Sequence, residues 1–514
     1  MPRRSRAFVL LRSIVAAGLG LCLTTCSQAP DKPVNVLLIS IDMLRPDHLG
    51  CYGYARNTSP NIDKLASEGV VFENHISSSS WTLPAHAALF TSMPDSLHGV
   101  TDTDKKLCDR AVTLAQRFAR AGYSTVGLFS GPYLHPAFGL GRGFAAYVDC
   151  CTNRDELDHN PPEKWAMDEN AMKKSHQDIT NPTVFGMFER WLAARGDKPF
   201  FTFVHMWDVH FDFIPPPPYD KQFDPDYAGK VDGSNFFFND AINAKMDKRD
   251  LDHVIALYDG EIAWTDMFIG RMRDALEKAG VLENTVIVLT SDHGTEFFEH
   301  GDKGHRKTLY DEVVRIPLIV RYPKRLAGRT RVSEQTRIID VGPTVLELAN
   351  VGVPNNVLGE SLVPLVDKPG TPRHRRAISE LMSVGRKMRT VRTLQWKFFD
   401  DMGRDTFYYY DLKNDPREQK RLTDAQSDSC KKLQGIYLEE TRNIESFVAQ
   451  HKDVCVDTIE PTQPPKEVIE QLRKYGYVGA EPLDPAPPPK AEDAKAPDAT
   501  PNTPPKSPGG KDGH

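Results

Sequence analysis

Five short runs of apolar, largely β-branched residues constrain this chain most. They lie at 35–42, 124–130, 199–207, 284–291 and 316–321. Runs this continuously apolar read as strands buried on both faces, the habit of a parallel sheet. Helix-like segments separate them, at 61–68, 84–91, 111–121, 185–194, about 250–279 and 341–349. Strand alternating with helix predicts an α/β fold built on a doubly wound, mostly parallel sheet. Ligand groups in such sheets collect at the carboxyl ends of the strands. Two of the runs end in acids there. Asp42 closes the first, and Asp292 with His293 closes the fourth.

The pattern changes after residue 370. Short strand-like runs at 377–381, 387–393, 396–400 and 407–412 precede a helix-like stretch at 427–450. They predict a smaller antiparallel subdomain over 371–478, following a main domain over 33–370. Residues 481–514 hold ten Pro, no aromatic residue and one large aliphatic, Leu483. That tail, 479–514, is too poor in apolar surface to offset the entropy of ordering.

The first 26 residues read as an address. Arg3, Arg4, Arg6 and Arg12 flank an apolar run, 14–23, too short to span a bilayer comfortably. The run is followed by Thr24-Thr25-Cys26, which points to an exported, lipoprotein-type leader, with plain cleavage or an uncleaved anchor as the alternatives, and to a periplasmic or outer-membrane location in a bacterium, the only membrane link expected being a lipid on Cys26. Export permits disulfides. The spacing offers Cys430 with Cys455, or Cys108 with Cys150 or Cys151. Lys and Arg number 64 against 70 Asp and Glu, a net charge of −6 that becomes −10 without the leader. This balance excludes nucleic acid as the main partner.

Read singly, the polar motifs stay open. Asp42 is a metal ligand or a hydrogen-bonded strand cap. Thr82, just ahead of Pro84 in Thr82-Leu-Pro-Ala-His86, is an ordinary N-cap or sits at an anion-binding helix N-terminus. Asp292 and His293 can share one cation, with Gly294 letting the chain turn. His205-Met-Trp-Asp208-Val-His210 precedes the rigid run Pro215 to Pro218, a pocket wall. His305-Arg306-Lys307 is a basic cluster for an anionic substrate or a solvated turn. Loops at 153–183 and 219–249 shape the pocket, and Phe236-Phe-Phe238 lines it or packs.

Taken in order, these pieces resemble the sulfatase family of the alkaline phosphatase superfamily. The resemblance rests on Asp42 with Gly50-Cys-Tyr-Gly53, Thr82 to His86 with Thr91 and His98-Gly99, and Gly143-Phe144. It continues through His205 to His210, Asp292-His293-Gly294, Lys307 to Pro317, Asp340-Val-Gly-Pro343-Thr344 and Tyr410 to Glu418. It implies an alkaline phosphatase/sulfatase-like fold and one divalent ion, calcium, manganese or zinc, held by Asp42, Thr82, Asp292 and His293. It implies Thr82 as nucleophile, with His210, His305 and Lys307 on the ester oxygens and His86 where the family usually has a supporting Arg.

Two departures redirect the expectation. The family's nucleophile is a formylglycine made from Cys or Ser, and Thr82, with a secondary β-carbon, cannot become that aldehyde. Met43 stands where many members have another metal-binding acid. A second metal set is not clear, Asp208, His210 and His305 being the nearest donors. The expectation is therefore an exported, metal-dependent hydrolase of a phosphate or phosphonate ester through a phospho-Thr82 intermediate. Its alternatives are a sulfuric ester hydrolase, a phospho-headgroup transferase and a non-catalytic binding protein.

Overall fold

The computed structural model describes residues 32–151, 179–370, 375–383, 385–451, 455 and 460–474. The leader, the Pro-rich tail and most of the 153–183 loop lie outside them.

Eight strands form the large sheet: β1 Asn35–Ile41, β2 Val70–Ile76, β3 Ser124–Phe129, β4 Ala146–Asp149, β5 Phe200–Met206, β6 Thr285–Ser291, β7 Arg315–Arg321 and β8 Thr330–Arg337. Their order is β8-β2-β7-β6-β1-β5-β3-β4. All run one way except β7, which is antiparallel to β2 and β6. The run at 316–321 is thus a buried strand, as expected, but not a parallel one. No long helix intervenes between β6 and β7, and a return without a crossover helix gives antiparallel pairing.

The apolar runs are continuous because each strand meets a core on both faces. Along β1, Val36 and Leu38 enter one core, and Leu37, Ile39 and Ile41 the other. The first core takes α2 Thr82–Thr91, α3 Leu114–Arg120 and α6 Val341–Leu348. The second takes α1 Pro60–Ser67, α4 Asn181–Ala194 and the long α5 Lys248–Lys278. Helices on both faces make the sheet doubly wound.

The smaller sheet is an antiparallel meander of β9 Ala377–Leu381, β10 Met388–Arg392, β11 Trp396–Asp401 and β12 Thr406–Asp411. Helix α7, Asp428–Gln450, packs on it through Cys430 and Leu433 against Phe398 and Tyr409. Strand β9 grips the segment that leads into α2. Glu380 N donates to Ser78 O at 2.7 Å, and Ser379 Oγ to Ser77 O at 2.6 Å.

The disulfide joins Cys108 to Cys455, with Cα atoms 6.1 Å apart. This corrects both pairings read from spacing. Cys430 is a buried thiol of α7, and neither Cys150 nor Cys151 is bonded to Cys108. The true partner lies 347 residues away, beyond the reach of local spacing.

Candidate active site

Strands β5, β1 and β6 lie side by side with their carboxyl ends level, Ile41 pairing with Met206 on one side and Ser291 on the other. Asp42 and Asp292 follow directly. Side chains in register on neighbouring parallel strands share a face, so Ser40 and its partner His205 both point towards α2. Helix α2 is apolar on every side and all ten of its residues are buried. It therefore sits inside the fold with its N-terminus over the strand ends. Thr82 is its first residue. Trp81 holds the cap position and makes no side-chain cap bond, so the N-cap reading of Thr82 is corrected.

The Thr82 hydroxyl turns instead to the acids. Its Oγ1 lies 3.4 Å from Asp42 Oδ2 and 3.3 Å from His293 Nε2. His293 Nε2 is 3.5 Å from Asp42 Oδ1 and 3.4 Å from Asp292 Oδ2. These side chains are buried, none more than 5% exposed. His293 Nδ1 donates to Gly294 O at 2.9 Å, which leaves the Nε2 lone pair aimed at the carboxylates. Asp42 Oδ1 and Asp292 Oδ2 have no hydrogen-bond partner among the described residues. Buried acceptors facing one another without protons between them are costly, and one cation satisfies all of them. Asp42, Asp292 and His293 form a set with metal-ligand spacing. The four residues expected around the ion are thus brought together.

Met43 contributes nothing to that shell. It takes a left-handed φ of 57° and buries its side chain in the second core. His86 lies under Thr82 rather than against its hydroxyl. Its Nδ1 donates to Thr82 O at 2.8 Å, and its Nε2 meets Ser40 Oγ at 3.0 Å. His305 stacks on His293 with ring centres 4.4 Å apart, and His210 stands 5.3 Å beyond His305. Burial keeps His86 and His210 neutral, pushing each imidazolium pKa down to about 4. Burial, with the neighbouring His293 and His210, also pushes the His305 pKa well below its ordinary value.

The basic cluster divides. Arg306 is structural: it stacks 4.1 Å from Trp81 and bonds Tyr133 and Asp102. Lys307 Nζ sits over the Phe237 ring, 4.9 Å away, and 3.4 Å from Asp302 Oδ1. Phe237 stacks on Phe211, whereas Phe236 packs into the core and Phe238 is half exposed. Asp208 is not a second-metal donor. It accepts from Thr180, Asn181 and Trp264 at the start of α4.

One residue joins the site that the sequence motifs included without a ligand role. His205 is fully buried with Nε2 3.5 Å from Asp42 Oδ2, and it shares a metal-spaced set with His86 and Asp292.

Comparison with known proteins decides the family. The sulfatase family model matches residues 34–351, most of the chain. The chain belongs to the sulfatase family. As a sulfatase-family member it is an ester hydrolase. A second model, the C-terminal region of N-sulphoglucosamine sulphohydrolase, matches 299–442 and spans the passage from the large sheet into the small one. The N-acetylglucosamine-6-O-sulfatase of Bacteroides thetaiotaomicron is 25% identical over 88% of this chain and 92% of its own length. The arylsulfatase of Clostridium perfringens is 26% identical over 77% and 91%. Among solved structures, the phosphonate monoester hydrolase of Agrobacterium radiobacter superposes with a TM-score of 0.65 at 24% identity, over 84% of this chain and all of that one.

Proposed function

We propose that this sulfatase-family chain hydrolyses a sulfate ester, with Thr82 as nucleophile beside one divalent ion held by Asp42, Asp292 and His293. Sulfate takes precedence over the phosphorus esters expected from the nucleophile alone. Relatives matching over three quarters of the chain or more carry names of sulfate-ester hydrolases. The observation that carries the site is the Thr82 hydroxyl, within 3.4 Å of Asp42 and His293.

The ion, when bound, supplies positive charge that lowers the pKa of a hydroxyl beside it and offsets charge on the sulfuryl oxygens. Thr82 is fixed by α2 with its Oγ1 proton facing the Asp42 carboxylate. Attack of Oγ1 on sulfur forms a Thr82 sulfate ester. The bond from sulfur to the alcohol oxygen breaks, and that oxygen takes up the proton released from Oγ1. His305, stacked on His293, and His210, edge-on to His305, would face the ester's oxygens, and Lys307 would draw in the anion. Water then attacks sulfur, breaks the bond to Oγ1 and frees sulfate. No aldehyde is needed at any step.

A second reading has its own support. A Thr ester must be opened by attack at the central atom, a route familiar for phosphorus esters, so phosphate or phosphonate monoesters and diesters are the alternative. Initial rates on aryl sulfate, phosphate, phosphodiester and phosphonate, each with manganese, zinc or calcium, separate the two. A faster sulfate rate supports the proposal; a phosphorus ester cleaved at least ~100-fold faster, about 2.7 kcal/mol of transition-state preference, replaces it. Export is also proposed, supported by the basic, apolar leader and by the disulfide between Cys108 and Cys455. Lipidation of Cys26 rests on the leader sequence.

A further inference from the structure

We infer that His205 is a fourth protein ligand of the active-site ion, and that it makes the site select a transition metal over calcium. The inference rests on the proposed metal site and concerns its composition.

The argument starts from the proton on the ring. His205 Nδ1 lies 2.7 Å from Ser130 O, at the end of β3. A carbonyl only accepts, so Nδ1 carries the hydrogen. In the neutral ring the lone pair is then on Nε2. That nitrogen is buried and has no hydrogen-bond partner among the described residues. It faces Asp42 Oδ2 at 3.5 Å and falls within 4.8 Å of an Asp292 ligand atom. A lone pair aimed at carboxylate oxygens is unfavourable unless a positive charge lies between them.

His293 repeats the arrangement. Its Nδ1 donates to Gly294 O, and its Nε2 faces both acids at 3.4–3.5 Å. Metal-bound histidines commonly donate the other ring N–H to a carbonyl or carboxylate, and both rings do so here. The separations of His205 Nε2 from Asp42 and of His293 Nε2 from both acids, 3.4–3.5 Å, suit edges of a tetrahedron around an ion about 2.1 Å from each ligand. His86 does not qualify as a donor. Its Nδ1 is committed to Thr82 O and its Nε2 to Ser40 Oγ.

The consequence is chemical. Met43 removes an oxygen donor that a hard calcium site would use, and its side chain lies in the far core. His205 adds a nitrogen donor from the neighbouring strand end. Two carboxylates and two imidazoles suit zinc or manganese, whereas calcium takes six to eight oxygens.

The test uses the full-length purified protein, stripped with a chelator and reloaded with one ion at a time. Affinities for Zn2+, Mn2+ and Ca2+ are measured by competition titration on wild type, His205→Ala, His205→Gln and His293→Ala, with thermal unfolding as a check on folding. Loading with Cu2+ and counting imidazole 14N couplings by pulsed EPR gives a readout independent of activity. Wild type should show two imidazoles and each folded variant one. Zn2+ affinity should fall by at least ~100-fold in the His205 variants, beyond what loss of an outer-shell partner causes, with Ca2+ affinity little changed. Wild type with one imidazole, or His205→Gln with unchanged Zn2+ affinity while His293→Ala loses it, overturns the inference and leaves the proposed metal site standing. Wild type that binds none of the ions overturns the metal site and the inference with it.

Discussion

At the scale of single residues the site depends on which atoms face the strand ends. Thr82 offers a hydroxyl with one methyl more than Ser, and Oγ1 already points at Asp42 and His293. Thr82→Ser should therefore keep activity within about 10-fold, since the attacking oxygen stays in place; steady-state kinetics on the best ester check this. His86 acts from beneath. His86→Ala breaks contacts to Thr82 O and Ser40 Oγ inside the core. It should cost roughly 1–3 kcal/mol of stability, the penalty for buried groups left unpaired, and lower kcat more than it changes KM. Urea unfolding and a kcat-against-KM comparison read both effects. Asp42, Asp292 and His293 were legible in the sequence because polar residues closing buried strands stand out from what precedes them. The ligand role of His205 was not, because its place within the apolar run of β5 gave only a polar strand end and no partner. Only the register of β5 on β1, which sets His205 beside Ser40, brings its ring to Asp42. Arg306 misled for the opposite reason: a basic residue between two site residues turns inward to Trp81 and Asp102.

At the scale of elements, the turn after β6 carries two ligands and has no room to spare. A β-carbon on Gly294 would come within 2.2 Å of the Glu312 carbonyl oxygen. Gly294→Ala must displace that backbone, so metal affinity and melting temperature should both fall, measured by titration and calorimetry. The same loop holds a buried ion pair that titrates above neutrality. Burial alone would lower the His300 pKa; the hydrogen bond to Glu312 and the Glu312 and Glu418 charges outweigh it and raise the pKa to about 9. A raised folded-state pKa contributes stability in full below the unfolded value, about 6.5, and loses it as pH climbs through about 9. The stability difference between wild type and His300→Gln should accordingly be largest below pH 6.5 and shrink towards pH 9–10, read by urea unfolding across that range. Five strands of the large sheet were legible because they are apolar on both faces. Strands β2, β4 and β8 were not. Strand β2 is interrupted by Glu73, Asn74 and His75, β4 has four residues, and β8 is an edge strand with charged positions. The reversed direction of β7 was hidden as well, since burial on both faces says nothing of direction.

At the scale of the whole molecule, the small sheet and the disulfide tie the C-terminal region to the catalytic half. Strand β9 holds the segment ahead of Thr82, and Cys455 holds Cys108, whose side chain belongs to the core around α2. Cys455→Ser should cost roughly 2–5 kcal/mol, seen as a lower melting temperature. Wild type under reducing conditions should match it, and the variant itself should not respond to reductant. This link joins residues too distant in sequence for spacing to reveal. The sulfatase-like order of motifs, in contrast, was readable because its polar anchors, Asp42, Thr82 and Asp292-His293, sit at strand ends or a helix start.

The central claim is that Thr82, beside the ion held by Asp42, Asp292 and His293, carries the ester cleavage. It is tested most directly by kcat/KM of Thr82→Ala against wild type, on whichever ester the metal-loaded wild type cleaves fastest, with metal content matched. The account predicts a loss of at least ~1,000-fold, about 4 kcal/mol of transition-state stabilisation, with the metal still bound. A Thr82→Ala protein that binds the ion and cleaves the ester at the wild-type rate would contradict it.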